Sequence, residues 1–158
     1  MGNYLNIGNS GFAAIRRGRY VDKTGLISFV NSTLGTKDKL TCVSRPRRFG
    51  KSFAAQMLCA YYDKSCDSYA LFENLEISGD PSFEKYLNRY NVIYLDITLF
   101  ISRSSSLKDV IKRMNDEVMR EVAAVCGEEA QGTDLLETLM NAVRLSGDKF
   151  IMIIDEWD

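Results

Sequence analysis

The chain has 158 residues, the size of one domain with room for a sizeable core. Its 20 Lys and Arg stand against 21 Asp and Glu, so no overall field recruits nucleic acid or an acidic membrane, and any basic patch is local. Histidine is absent and the four cysteines, Cys42, Cys59, Cys66 and Cys126, are widely and irregularly spaced; a zinc centre lacks ligands, and a Cys–His or Ser–His nucleophile pair is excluded.

The thiols read as buried, reduced core residues. The sequence shows neither a signal peptide nor an apolar run of about 18 residues, so the expected compartment is the cytoplasm, with no membrane partner. In chain order, residues 1–22 carry little pattern, and Phe12, Ile15, Tyr20 and Val21 suggest one or two short strands around RRGR. From Asp22, an N-cap residue type, Leu26, Ile27, Val30 and Leu34 recur at helical spacing until Gly35. KLTCVS (39–44) reads as a buried strand entering a loop, and KSFAAQMLCAYYD (51–63) as a helix with Phe53, Met57, Leu58 and Tyr61 facing inward.

Residues 64–90 are looser: a segment LFENLEI, a turn at SGDPS and a short helix FEKYLNRY. NVIYLDIT (91–98) is a clear strand, apolar enough to be covered on both faces. After a serine-rich turn, Leu107, Val110, Ile111, Met114, Val118, Met119 and Val122 mark a long amphipathic helix, and Leu135, Leu136, Leu139, Met140 and Val143 a shorter one. KFIMIIDEWD (149–158) closes the chain as an apolar strand with acids at its C-terminal end. Strands alternating with helices imply an α/β class with a parallel, helix-covered sheet.

Two motifs carry chemistry. SRPRRFGKS (44–52) lies between a strand and a helix, the layout of a phosphate-binding loop of the pattern G-x-x-x-x-G-K-[ST], with Arg45 in place of the first glycine. In such a loop backbone N–H groups turn inward around the β-phosphate and the following helix adds its N-terminal partial charge. Gly50 permits close approach, Lys51 reaches the β/γ oxygens, and Ser52 offers its hydroxyl to Mg²⁺. Pro46 fixes its own φ and pushes Arg45 toward an extended conformation, which lets the loop survive the substitution. The nucleotide-binding set is then Arg45, Pro46, Arg47, Arg48, Phe49, Gly50, Lys51 and Ser52, the ligand ATP with Mg²⁺.

The second motif, IMIIDEWD, puts Asp155 and Glu156 at the end of an apolar strand, where ligand sites of parallel sheets form. Asp155 would join Ser52 in holding the metal, and Glu156 would join Lys51 as a catalytic residue by orienting and deprotonating water. The plainer reading leaves both acids merely solvated, but their pairing with a Gly-Lys-Ser loop favours a nucleotide site. Arg45, Arg47 and Arg48 would grip a nucleic-acid backbone in one reading and surround ATP phosphates or face solvent in the other, which is preferred. Tyr20 and VDKT either border the adenine through aromatic stacking or serve the start of the helix through Asp22; both readings stay open.

Taken together, YVDKT (20–24), SRPRRFGKS, LFENLEI, YNVIYLDIT (90–98) and IDEWD (154–158) resemble the bacterial AAA-ATPase-like domain, whose pattern runs YVDKT, RPRRFGKT, strand, IDEYD. Arg45 is then the family's residue in its slot, and the departures are Ser52 for threonine and Trp157 for tyrosine. The resemblance implies a P-loop NTPase fold, a three-layer parallel sheet with helices on both faces. It also implies a domain that continues past the Asp-Glu motif and is often followed by a region similar to PD-(D/E)XK nucleases. On that basis the chain reads as the N-terminal part of the domain, with residues 1–38 as strands and a helix and residues 39–158 as the nucleotide-binding core. Hydrolysis by this chain alone is expected to be weak or absent, and nucleic acid to be a partner only through the later region.

In the family's sheet the loop strand lies between two strands that follow the Asp-Glu strand. Residues 40–44 are therefore expected either to pair with residues 150–154 or to be completed by a strand from another chain, with self-association, and residues 92–97 to lie beside 150–154 in either case. The alternatives are a P-loop small-molecule kinase, against which the adjacent Glu156 argues, and a non-enzymatic interaction module with a degenerate nucleotide site.

Overall fold

The computed structural model describes residues 2–44 and 50–156; the roles expected of Arg45, Pro46, Arg47, Arg48 and Phe49 lie outside the described residues, as does Trp157. The chain divides into two compact units, one Gly8–Arg89, the other Met1–Ile7 with Tyr90–Asp158.

The first unit holds helices α1 (Ser10–Arg16), α2 (Gly25–Thr33), α3 (Lys51–Tyr62), α4 (Tyr69–Phe72) and α5 (Phe83–Tyr86), with a 3₁₀ turn at Glu76–Gly79. Where short strands were expected around Phe12 and Ile15, the chain is helical: the Asn9 carbonyl accepts the Ala13 N–H at 2.9 Å. Phe12 is fully buried, stacked on Phe72 with ring centroids 4.9 Å apart and met edge-on by Tyr20. That aromatic contact, with Ala13 and Ala14 as helix formers, overrides the weak strand signal. Helix α2 starts later than Asp22 implied, with Thr24 as its N-cap; Asp22 instead accepts the Thr24 N–H at 2.8 Å and its hydroxyl at 2.7 Å.

Residues 39–44 correct the expected buried strand: they form no strand and are exposed, Leu40 at 91%. A strand exists through its ladder, and among the described residues the sheet consists of two other segments. Of the two arrangements expected for residues 40–44, pairing with 150–154 is not found among the described residues. In α3, Met57 and Tyr61 are buried as expected, Leu58 is half-buried, and Phe53 is turned out, 53% exposed. Of the thiols, Cys59 is buried, Cys66 and Cys126 are half-buried, and Cys42, on the exposed stretch, departs from the core role given it.

The second unit contains β1 (Asn91–Asp96), α6 (Ile97–Ile101), α7 (Leu107–Cys126), a 3₁₀ turn at Glu128–Ala130, α8 (Leu135–Ser146) and β2 (Phe150–Asp155). The strands are parallel, with Asn91 opposite Phe150 and Asp96 opposite Asp155. The fold is thus α/β, and the expected neighbours do lie side by side, except that Ile97 already belongs to α6. Leu5 adds an antiparallel bridge to Ile93 on the other side of β1, with Asn6 N–H to the Val92 carbonyl at 2.7 Å and Tyr94 N–H to that of Tyr4 at 2.8 Å. Glu121 of α7 ties this N-terminal segment down by accepting the amides of Tyr4 (2.7 Å), Leu5 (3.1 Å) and Asn3.

Both long helices of this unit start as their sequences suggest: Ser106 caps α7 by accepting the Asp109 amide, and Asp134 caps α8 by accepting that of Glu137. Gly147 ends α8 in the left-handed conformation. Val110, Val118 and Val122 of α7 and Ala142 of α8 pack with Leu5, Ile93 and Leu95 into the core. Among the described residues no helix is long and apolar enough to cross a membrane.

Candidate functional site

In the unit Gly8–Arg89, Gly50 precedes α3 with φ 78° and ψ 31°, the left-handed region that a side chain disfavours. Its carbonyl accepts the Ala54 N–H at 3.0 Å, so the helix begins at once, with Lys51 and Ser52 as its first two residues. Gly50, the N-cap residue, has no side chain to cap this terminus.

The segment 20–24 lies against this end of α3. A Cβ placed on Gly50 would sit 2.9 Å from Lys23 Nζ, so the glycine leaves room for that ammonium group. A cavity of about 320 Å³ opens here, with Arg19, Tyr20, Val21 and Lys23 on one wall and Gly50, Phe53, Ala54 and Met57 on the other. The first wall is held by hydrogen bonds to the 3₁₀ turn. Asp22 accepts the Glu76 amide at 2.8 Å besides its two bonds from Thr24, and Thr24 Oγ1 accepts the Ile77 amide at 3.1 Å. Burial alone would raise the Asp22 carboxyl, but the Glu76 amide, the Thr24 hydroxyl and amide and the charge of Arg16 outweigh it and hold the group below its ordinary value.

Tyr20 is used more fully than a stacking platform would be. Its hydroxyl donates to Met57 Sδ at 3.3 Å and accepts the Lys23 amide at 3.3 Å, while the Arg16 guanidinium lies 5.5 Å over its ring. Burial, opposed by the Lys23 amide, pushes its phenol above the usual range. Tyr20, Val21 and Lys23 thus line the cavity, while Asp22 bonds Thr24, the N-cap residue of α2. Lys23 received no phosphate role from the sequence; a cation one step from Asp22 looks like an ordinary surface residue until its reach to Gly50 is seen.

Asp155 and Glu156 belong to the other unit. Asp155 ends β2 and is buried, 6% exposed. Its Oδ2 accepts the Tyr94 hydroxyl at 3.2 Å and its Oδ1 the Glu156 amide at 3.0 Å. Glu156 is exposed and has a positive φ of 54°, which turns the chain sharply at the strand's end. The register sets Asp96 beside Asp155. Asp96 caps α6, its Oδ1 accepting the Thr98 amide at 2.9 Å and hydroxyl at 2.5 Å. Sequence reasoning passed over Asp96, although YLDIT ends an apolar strand in an acid just as MIIDE does.

Among the described residues no group of three or more His, Cys, Asp or Glu side chains is placed to hold a metal ion. The described groups at α3, a left-handed glycine, Lys51, the Ser52 hydroxyl and the neighbouring Lys23, are donors and cations that fit phosphate oxygens.

No curated protein and no solved structure matches the chain. The family model for predicted AAA-ATPases matches residues 6–158, and the chain therefore belongs to the AAA-ATPase-like family of nucleotide-binding, ATPase-like domains.

Proposed function

We propose that the chain binds ATP with Mg²⁺ through a Walker A phosphate loop at residues 45–52, with residues 154–158 as the Walker B segment of a P-loop parallel sheet. The observation that carries this reading is the left-handed Gly50 opening α3 with Lys51 and Ser52 in its first turn, in a chain of this family. Backbone N–H groups at the helix start bind phosphate oxygens, Lys51 contacts the β/γ oxygens, and Ser52 turns its hydroxyl toward the metal. Arg45, Pro46, Arg47, Arg48 and Phe49 complete the proposed loop. Bound with the nucleotide, Mg²⁺ supplies charge neutralisation at the phosphate oxygens.

For the acids, the geometry of their own unit supports different roles. Asp155 is buried and oriented by Tyr94 and by the next amide, which suits a fixed metal-side carboxylate. Glu156 is exposed at a turned backbone, which suits a base that orients a water and takes its proton.

The test is a calorimetric titration of the chain and its Lys51→Ala variant with ATP at equal Mg²⁺. Loss of a charge-assisted contact is expected to cost about 1.5–3 kcal/mol of binding, with unfolding unchanged. Equal affinities would remove the phosphate-loop assignment.

A further inference from the structure

We infer that Lys23 is a second cation on the phosphate chain of the bound nucleotide, a specificity residue that separates nucleotides from nucleosides; this rests on the ATP-site reading. Three observations carry it. The ammonium reaches the point where a Gly50 Cβ would be, 2.9 Å away, so it stands over the residue whose lack of a side chain lets phosphate approach. Lys23 and Gly50 line the same cavity of about 320 Å³, within the range of volumes that ligand pockets have, about 300–1,000 Å³.

The third is the mounting of the side chain. The Lys23 amide donates to Tyr20 Oη at 3.3 Å and its carbonyl accepts the Leu26 N–H at 3.0 Å. On either side, Asp22 and Thr24 are bonded to the backbone of the 3₁₀ turn. A lysine carried on a backbone fixed in this way gives up less freedom when it meets a ligand than one on a loose loop.

The contact is with phosphate and not with the base, which sets the test. The chain and its Lys23→Gln, Lys23→Met and Lys23→Arg variants are titrated by calorimetry with Mg²⁺ and ATP, ADP or adenosine, with Lys51→Ala alongside. Lys23→Gln and Lys23→Met are expected to weaken ATP and ADP about ten- to hundredfold, to leave adenosine unchanged, and to unfold at the wild-type midpoint. Lys23→Arg is expected to keep most of the affinity. Wild-type ATP affinity in Lys23→Gln while Lys51→Ala loses it overturns the inference and leaves the phosphate loop standing. Equal losses for ATP and adenosine overturn it too, since Lys23 would then act on the shape of the cavity. If Lys51→Ala binds ATP as well as the wild type, the ATP-site reading itself fails, and this inference with it.

Discussion

In the unit built on β1 and β2 the core cluster is aliphatic except for Phe100: Leu5, Ile93, Leu95, Val110, Val118, Val122, Ala130 and Ala142. In the unit Gly8–Arg89 the largest buried side chains include Tyr61, Tyr62, Phe12 and Phe72, while buried polar groups occur in both units, Asn6 and Asn91 in the unit of β1 and β2 and Asn31 and Asp63 here. Asn31, 4% exposed, donates to Tyr61 Oη at 3.1 Å and to Ser82 Oγ at 2.9 Å, and accepts the Tyr62 hydroxyl at 2.6 Å. Asn88 donates to the carbonyls of Ala60 and Asp63, closing the C-terminal end of α3. Aliphatic burial is non-directional and fixes which face of an element points inward. A hydrogen-bond network is directional and fixes where particular loops stop. The start of α3 and the segment 20–24 belong to the second kind of unit, the kind that can hold a lysine at one glycine.

The largest effect is expected where the aliphatic core is thinned. Ile93 is fully buried, so Ile93→Ala should cost about 2–5 kcal/mol in urea unfolding. Ile154, in the matching kind of strand but 47% exposed, should cost under about 1 kcal/mol as Ile154→Ala, since half of its side chain stays in water either way. The contrast would break if the two losses were equal. On the polar side, Asn31→Ala removes its bonds with Tyr61, Tyr62 and Ser82 and should cost about 1–3 kcal/mol. Tyr62→Phe should cost less in the Asn31→Ala background than in the wild type, because the bond between the two side chains is already gone; equal costs in both backgrounds would show that the bonds around Asn31 do not order this unit.

The same contrast decides what was legible in the sequence. Both strands, α7 and α8 are read from apolar spacing and from their cap residues, because burial in that unit follows periodicity. The parallel pairing follows from the helices between the strands. In the other unit the spacing misleads: Phe12 sits on a helix, fixed by rings from distant positions, and residues 39–44 are apolar but have no ladder. Nothing local announces that Asp22 would bond the Glu76 amide or that Lys23 would reach Gly50, since such contacts join residues far apart in the chain. The candidate motifs are legible as letters, GKS and DE; the helix after Gly50 and the strand before Asp155 match the expected surroundings, whereas the strand expected before the loop, residues 39–44, does not form. Asp96 and Lys23 are not legible in this way, because neither belongs to a spacing rule.

The smallest expected effect tests the polar unit at its exposed rim. Asp22 is held below its ordinary carboxyl value of 3.8, burial being outweighed by its hydrogen bonds from Glu76 and Thr24 and by Arg16. A depressed carboxyl in the folded chain adds stability that is complete above the unfolded value and disappears as pH falls through the folded one. Asp22→Asn, which keeps an acceptor oxygen but not the charge, should therefore be less stable than the wild type at pH 7, by under about 1 kcal/mol because Asp22 is exposed. That gap should be constant down to about pH 5 and shrink as pH falls through 3.8. Urea midpoints of both proteins at pH 7, 5 and 3 measure it. A gap that widens toward pH 3 would mean that the charge of Asp22 opposes the fold, and the segment carrying Lys23 would then owe its rigidity to Thr24 and its bond to Ile77 instead.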